Sequence, residues 1–269
     1  MASGLTGVWA ILAGSLAVSP AFAVMTDCII VPSGTYSIGA PVSGIIAEIA
    51  VDRGDWVEVG DLIARLDTTL QEMAIDSASA RAAANEASLV SAQARVALMQ
   101  GRLDRNRALR ERNVVSNAVV EENEADLLVA ENDLLTAREN LTMARVEIEV
   151  ARTERDRRMI LSPASGYVVE RALSRGEFLS ESTPLATIAD IGTLYVEAVI
   201  GIDAFGTIAI GEEALVEPEP PIGGSYLARV EVIDQVFDAA SGTFGVRLSL
   251  PNPDRAVPAG LRCMVTFGS

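Results

Sequence analysis

Residues 41–66 recur at residues 163–188 without a gap, at a constant offset of 122. Pro41, Ser43, Gly44, Glu48, Ala50, Arg53, Gly54 and Ala64 are identical to Pro163, Ser165, Gly166, Glu170, Ala172, Arg175, Gly176 and Ala186. The pairs Asp55/Glu177, Trp56/Phe178, Val57/Leu179 and Leu66/Ile188 are conservative. Both glycines keep their spacing, which chance alignment rarely produces. A period of this kind has to be read before anything else, because it dictates the architecture. Each copy reads as short strands: Ile45-Ile46 and Ile49-Val51, a turn at Asp52–Asp55, a strand from Trp56, a turn at Gly60-Asp61, and Leu62–Leu66. Glycine at a fixed turn position supplies a positive φ without steric cost. Neither half can bury both of its faces alone, so the two are expected to pair into one small β-sandwich.

The segment between the copies obeys a different period. Residues 68–156 contain no proline and only one glycine, Gly101, and are rich in Ala, Glu, Arg, Leu and Gln, which favour helix. Ile75, Ala82, Leu89, Val96 and Leu103 recur every seven residues, with Ala78, Asn85, Ala92, Met99 and Asn106 three residues on. In the second half Leu127, Leu134, Leu141 and Ile148 recur every seven, followed at three by Ala130, Ala137, Ala144 and Ala151. A sustained seven-residue repeat specifies a left-handed coiled coil. Between the halves, Asn113-Val114-Val115-Ser116-Asn117 is poor in helix formers and offers an N-cap at Ser116 or Asn117. The helices should fold back antiparallel there, giving an arm of roughly 65–70 Å at 1.5 Å per residue. Such an arm is either a rigid spacer or a device that reaches a distant partner.

Composition removes most enzyme classes. The chain has no histidine, and all 21 of its basic residues are arginine. Without histidine there is no Ser-His-Asp or Cys-His catalysis and no His-ligated zinc or haem. Without lysine there is no Schiff base, no P-loop lysine and no attachment point for biotin or lipoate. Two cysteines, Cys28 and Cys263, cannot make a metal site alone. A non-enzymatic protein without cofactor is expected. The net charge of −16 gives phosphate backbones nothing to attract them, so no nucleic-acid partner is expected.

The N-terminus reads as an export signal. An apolar run from Leu5 to Val18 is broken by Pro20 and followed by Ala21-Phe22-Ala23, the A-x-A pattern of a signal-peptidase site. The run is short for a membrane-spanning helix, which needs about 20 apolar residues. No arginine precedes it, the first being Arg53. Cleavage after residue 23 and retention as an anchor are both open. Asp27 stands before Cys28, where a lipid-attachment cysteine needs a small residue. From Ile191 onward the pattern turns to strands. Leu194–Ile200, Leu227–Ile233, the alternation of Phe244, Val246, Leu248 and Leu250, and Leu261–Phe267 lead to roughly six short strands and a small antiparallel barrel.

The stretch Pro41–Asp67, P-V-S-G-I-I-A-E-I-A-V-D-R-G-D-W-V-E-V-G-D-L-I-A-R-L-D, resembles the first half of a biotinyl/lipoyl domain. Ser162–Glu177 resembles the second half. In carrier domains a tight hairpin bearing the modified lysine joins the halves. Here a long helical segment intervenes and lysine is absent, so the fold is kept and the carrier chemistry excluded. A split lipoyl domain with a helical insertion resembles the periplasmic adaptors, or membrane fusion proteins, of the HlyD-like family. Leu194–Ala198, Asp238–Leu248 and Pro258–Phe267 resemble the β-barrel domain of the same family.

The expected fold is thus α+β, elongated and multidomain. A long antiparallel coiled-coil hairpin is inserted in a split lipoyl-like sandwich, and a small antiparallel barrel follows. The expected segments are a signal peptide (1–23), an N-terminal strand or linker (24–37), half-motif 1 (38–67), the hairpin (68–156), half-motif 2 (157–190) and the barrel (191–269). The resemblance implies that the membrane-proximal domain, which follows the barrel in many adaptors of resistance–nodulation–division (RND) pumps, is an element expected to be missing from the residues up to Ser269.

The resemblance also implies a function. It implies a non-catalytic periplasmic adaptor, associated with the inner membrane through its transporter. It would form a ring of six that links an inner-membrane transporter to an outer-membrane duct of the TolC type. An RND-type transporter is favoured and an ABC-type exporter is the alternative. A third possibility is an exported coiled-coil scaffold with no transport partner. Adaptors that dock on such ducts carry the tip pattern R-L-x-x-L-x-x-x-x-x-x-S. Arg105, Leu109 and Ser116 stand at those spacings, with Asn106 in place of the first leucine. Alternatively, Leu109 packs in the coil and Ser116 only caps a helix. Cys28 and Cys263 form a candidate disulfide if an N-terminal strand runs beside the barrel; two buried free thiols is the alternative.

Overall fold

The computed structural model describes residues 24–268, so the expected signal peptide lies outside the described residues. The chain divides into two compact units whose boundaries fall between Gly34 and Thr35 and between Ala189 and Asp190.

One unit, residues 35–189, holds both half-motifs and the helices. Its strands are the end of β1 (Val24–Ile38), β2 (Gly44–Ile49), β3 (Trp56–Val57), β4 (Leu62–Leu66), β5 (Met159–Leu161), β6 (Gly166–Arg171), β7 (Phe178–Leu179) and the start of β8 (Ala186–Gly201). The 122-residue offset of the sequence reappears bond by bond. Trp56–Val57 pairs with Tyr167–Gly166, and Phe178–Leu179 pairs with Ile45–Gly44. Gly54 N–H donates to the Val168 carbonyl and Gly176 N–H to that of Ile46. Both glycines have positive φ, 94° and 88°. The Asp52 N–H is taken by the Asp55 carboxylate and the Ser174 N–H by that of Glu177. Ladders β2–β4 and β6–β8 even share their bulge, between Ile46 and Glu48 and between Val168 and Glu170. Each half covers the other, and Ile46, Ile63, Leu66, Val168, Leu179, Leu185 and Ile188 are buried together. The two halves are one sandwich with an internal two-fold relation.

Helices α1 (Thr69–Glu111) and α2 (Asn117–Asp156) leave and re-enter this sandwich. At α1's start the Asp67 carboxylate accepts from the Thr69 N–H and hydroxyl, which hold its pKa below the ordinary value. At α2's end the Arg158 guanidinium donates to the Asp67 carbonyl and the Arg158 carbonyl accepts from the Leu66 N–H. At 43 and 40 residues the helices are about 60–65 Å long. They run antiparallel, because ion pairs cross between them from base to tip: Arg81–Glu147 (3.5 Å), Arg95–Asp133 (3.3 Å) and Arg107–Glu124 (2.7 Å). Burial follows the heptads. Along α1 every residue of the series 75, 78, 82, 85, 89, 92, 96, 99, 103 and 106 is at least half-buried, as is the matching series from 123 to 151 along α2. Ala78, Ala82 and Leu103 on α1, and Ala130, Leu141 and Ala144 on α2, are buried.

The other unit comprises residues 24–34 and 190–268. Its strands follow the order β1–β12–β9–β10–β11–β8, with β9 Glu213–Pro218, β10 Tyr226–Ile233, β11 Thr243–Pro251 and β12 Leu261–Phe267; β8 pairs back with β1 and closes a barrel. The Thr26 hydroxyl bonds the Val199 carbonyl, and the Ser33 hydroxyl that of Asp190, along this closing seam. Period-two side chains fill the interior, among them Ile30, Leu194, Val196, Val216, Val230, Val246, Leu248, Val265 and Phe267. The expectation of six strands from residue 191 onward is corrected: five lie there, and β1 supplies the sixth. The reason is pairing, since β12 would otherwise present a bare edge.

In the β1–β12 ladder Cys28 stands opposite Cys263, with Cα atoms 4.9 Å apart and their sulfurs bonded. The bridge ties strands 235 residues apart in sequence. Denatured, unreduced protein is therefore expected to show no thiol reactive to a maleimide. Cys28→Ser is expected to lower stability by about 2–5 kcal/mol, read from denaturant midpoints. Two reactive thiols per chain would contradict the bridge.

Candidate functional site: the hairpin tip

The turn between the helices is built by backbone chemistry. Asn113 adopts φ 58°, its N–H donates to the Arg110 carbonyl, and the Val114 N–H donates to the Leu109 carbonyl. This is a Schellman ending of α1, with asparagine at the left-handed position glycine usually takes. The hydrophobic pair that commonly accompanies it would be Leu109 and Val114, which are 37% and 66% exposed. Ser116 then begins α2 as its N-cap residue with an extended backbone, but its side chain makes no capping bond. Its hydroxyl is exposed and available to another molecule.

Arg105 is exposed one and a half turns below the end of α1, with its guanidinium near Gly101. The tip thus gathers Arg105, Leu109 and Ser116 on the last two turns of α1 and the first residue before α2. Leu109 is 37% exposed, on the row beside the seam residues Asn106 and Arg110.

Sequence reasoning missed two contacts that shape this end. Arg110 Nε donates to Asn117 Oδ1 across the turn, and Arg107 pairs with Glu124. Both lie where α1 ends in arginines (Arg102, Arg105, Arg107, Arg110, Arg112) and α2 begins with glutamates (Glu121, Glu122, Glu124). Arg110 lies in the last turn of α1, where a positive charge suits the helix C-terminus, while the first turn of α2 holds no acidic residue. That charge order was visible in the sequence and is the signal that could have found them. The tip can bind acceptors through arginine forks, offer an apolar side chain, and donate or accept through a free hydroxyl.

Among the described residues, no group of three or more His, Cys, Asp or Glu side chains is placed to hold a metal ion. No helix among them is long and apolar enough to cross a membrane.

A sandwich split by a helical hairpin is the architecture of barrel-sandwich hybrid proteins. Residues 34–190 match the CzcB-like, barrel-sandwich hybrid domain family, and the chain belongs to that family. It is 25% identical over 237 residues to the macrolide export protein MacA of Yersinia pestis, covering 86% of this chain and 63% of the relative. It is 26% identical over 234 residues to the nodulation protein NolF of Rhizobium meliloti, covering 86% and 59%. The chain thus spans less than two thirds of the length of these curated relatives. Its fold is similar to that of MacA from Actinobacillus actinomycetemcomitans, with a TM-score of 0.74 at 21% identity, covering 91% of this chain and 78% of that one.

Proposed function

We propose that the chain is an exported, non-catalytic adaptor. It would act in the periplasm, joined to an inner-membrane transporter, and carry its hairpin tip to an outer-membrane duct of the TolC type. It works as a ring of six copies. An RND-type transporter is the favoured partner. The first relative is a macrolide export protein, which supports export of small molecules as the process.

The observation that carries this proposal is the hairpin itself. Its two helices are stabilised by their own seam, yet it ends in a solvent-exposed Arg105, Leu109 and Ser116 that the seam does not need. The seam alone would make a spacer. A spacer gains nothing from an uncapped serine and an exposed leucine at its far end.

Arg105→Asp and Ser116→Arg are each expected to abolish export while leaving secretion and helicity intact. Substitutions at exposed sites usually change stability by within about 0.5 kcal/mol. Full export by the double variant at normal protein level would contradict the proposal. Loss of helical circular dichroism would instead assign these residues to the fold.

A further inference from the structure

One end of the barrel, where β8 stops and the β10–β11 hairpin turns, gathers phenylalanines. Phe205, Phe237 and Phe244 lie edge to face, with ring centroids 4.8 Å, 5.3 Å and 6.0 Å apart. Half of the chain's six phenylalanines are therefore at one spot. Phe244 is buried beneath the other two, which remain exposed. Ile202, Ile210 and Val236 stand out of the same two loops. Val236 is 86% exposed, more than any other large hydrophobic side chain among the described residues, and Ile210 is 71% exposed. Apolar surface of this kind marks an interaction site.

The polar side chains of these loops are turned the other way. The Glu212 carboxylate accepts from the Ala209 N–H and that of Asp238 from the Ala240 N–H. The Asp234 carboxylate lies over Gly245, and that of Asp203 beside Gly201. Carboxylates thus fold back on their own backbone while apolar side chains project. Residues 201–212 and 234–242 contain these four acidic residues and no arginine.

The path of the chain selects what such a surface meets. Gly201 pairs with Thr243, the Thr26 hydroxyl bonds the Val199 carbonyl, and Val24 begins β1 opposite Phe267. β1 therefore starts at the aromatic end. In the sequence the apolar run Leu5–Val18 ends six residues before Val24, a length that reaches at most about 20 Å. An export signal is delivered to a bilayer, and a link of that length keeps this end of the barrel beside it.

We infer that the aromatic end of the barrel is a membrane-contact surface, whose Val236, Phe237, Phe205 and Ile210 enter the interfacial layer of a zwitterionic bilayer. Apolar side chains that project from a polar scaffold gain by leaving water for the boundary between headgroups and acyl chains. Four carboxylates without an arginine are repelled by anionic headgroups, which sets the lipid class. The inference rests on the proposed export and adds a contact that needs no transporter.

The test uses the purified full chain alone. Both native cysteines are bridged, so Val236→Cys supplies one reactive thiol for a nitrobenzoxadiazole dye. Leu227→Cys, exposed on the outer wall of the barrel, is the control, needed because the run Leu5–Val18 can itself hold the chain on vesicles. Phosphatidylcholine vesicles are expected to raise emission at residue 236 about twofold or more and to leave residue 227 nearly unchanged. Phosphatidylglycerol mixed into the vesicles should reduce the rise. Ile210→Asp in the Val236→Cys chain should cut it by about half or more, with circular dichroism unchanged, since substitutions at exposed sites perturb the fold little. Equal rises at residues 236 and 227, no rise at 236, or a rise favoured by phosphatidylglycerol would overturn the inference. So would emission at 236 that increases with protein concentration in the absence of lipid, which would give the surface to a second copy of the chain. Vesicle contact by a chain that captures no duct in cells would leave the inference standing and count against the adaptor proposal alone.

Discussion

Gly166→Ala is expected to destabilise the protein by about 3 kcal/mol or more, whereas its repeat equivalent Gly44→Ala should cost about 1 kcal/mol or less. The two glycines occupy matching places in the two halves, so sequence symmetry alone would assign them equal effects. Their neighbours differ. A Cβ on Gly166 would land on the carbonyl of Ala189 and stand 2.8 Å from the Ile188 side chain. Ala189 is held in the β6–β8 ladder, opposite Tyr167, and cannot withdraw without breaking that pairing. At Gly44 the residue corresponding to Ala189 is Asp67, where the chain leaves the sheet for α1. The space is filled there by the Arg158 guanidinium, 3.1 Å from an added Cβ, and by Leu66 at 3.4 Å. A guanidinium at the end of a flexible side chain can yield. Urea midpoints of the two purified variants measure the difference, and equal midpoints would remove this account of where the insertion breaks the symmetry.

Leu141→Asp is the second large effect expected. Leu141 is 5% exposed in the α2 seam, with Ala144 one turn on. A carboxylate there faces α1 with no basic partner in the seam, and an unpaired buried charge costs several kcal/mol or forces the helices apart. Much of the hairpin's helical signal should vanish at a temperature the parent withstands. Leu135→Asp, six residues away on the outer face, should leave helicity and thermal midpoint nearly unchanged in dilute protein, because Leu135 is 53% exposed. If both substitutions melt the hairpin alike, the seam is wrongly placed.

The parts of this fold written in periodic or repeated residues were open to sequence reasoning. The seven-residue spacing of Leu127, Leu134, Leu141 and Ile148 names the buried side of α2, because a helix buried on one side has to repeat its apolar residues at that interval. The repeat named the turn glycines, because two halves that cover each other have to share a backbone path. What was hidden depends on single residues meeting across long separations. In Val24–Gly34 only Cys28, the candidate partner of Cys263, points to the barrel whose other strands follow residue 185; its alternation fits any edge strand, and nothing in it announces that it closes the sheet. Asn113 at positive φ lacks the glycine that usually marks a Schellman ending. Arg158 looks like one of several arginines at a helix end, yet it fills the place that keeps Gly44 and Gly166 from being equivalent. At the tip, Arg105, Leu109 and Ser116 were visible through family resemblance, while the Arg110–Asn117 and Arg107–Glu124 contacts were signalled only by the order of charges along the two helices, which does not name the pairs.

The central claim is that the hairpin tip meets an outer-membrane duct. It is tested most directly by placing a photo-reactive amino acid at Ser116, illuminating living cells that export normally, and identifying what is captured. The account predicts a cross-link to an outer-membrane duct protein that is lost when the same probe sits at Val146, far down the arm. Capture at Ser116 of other copies of this chain only, or of no outer-membrane protein, would contradict it.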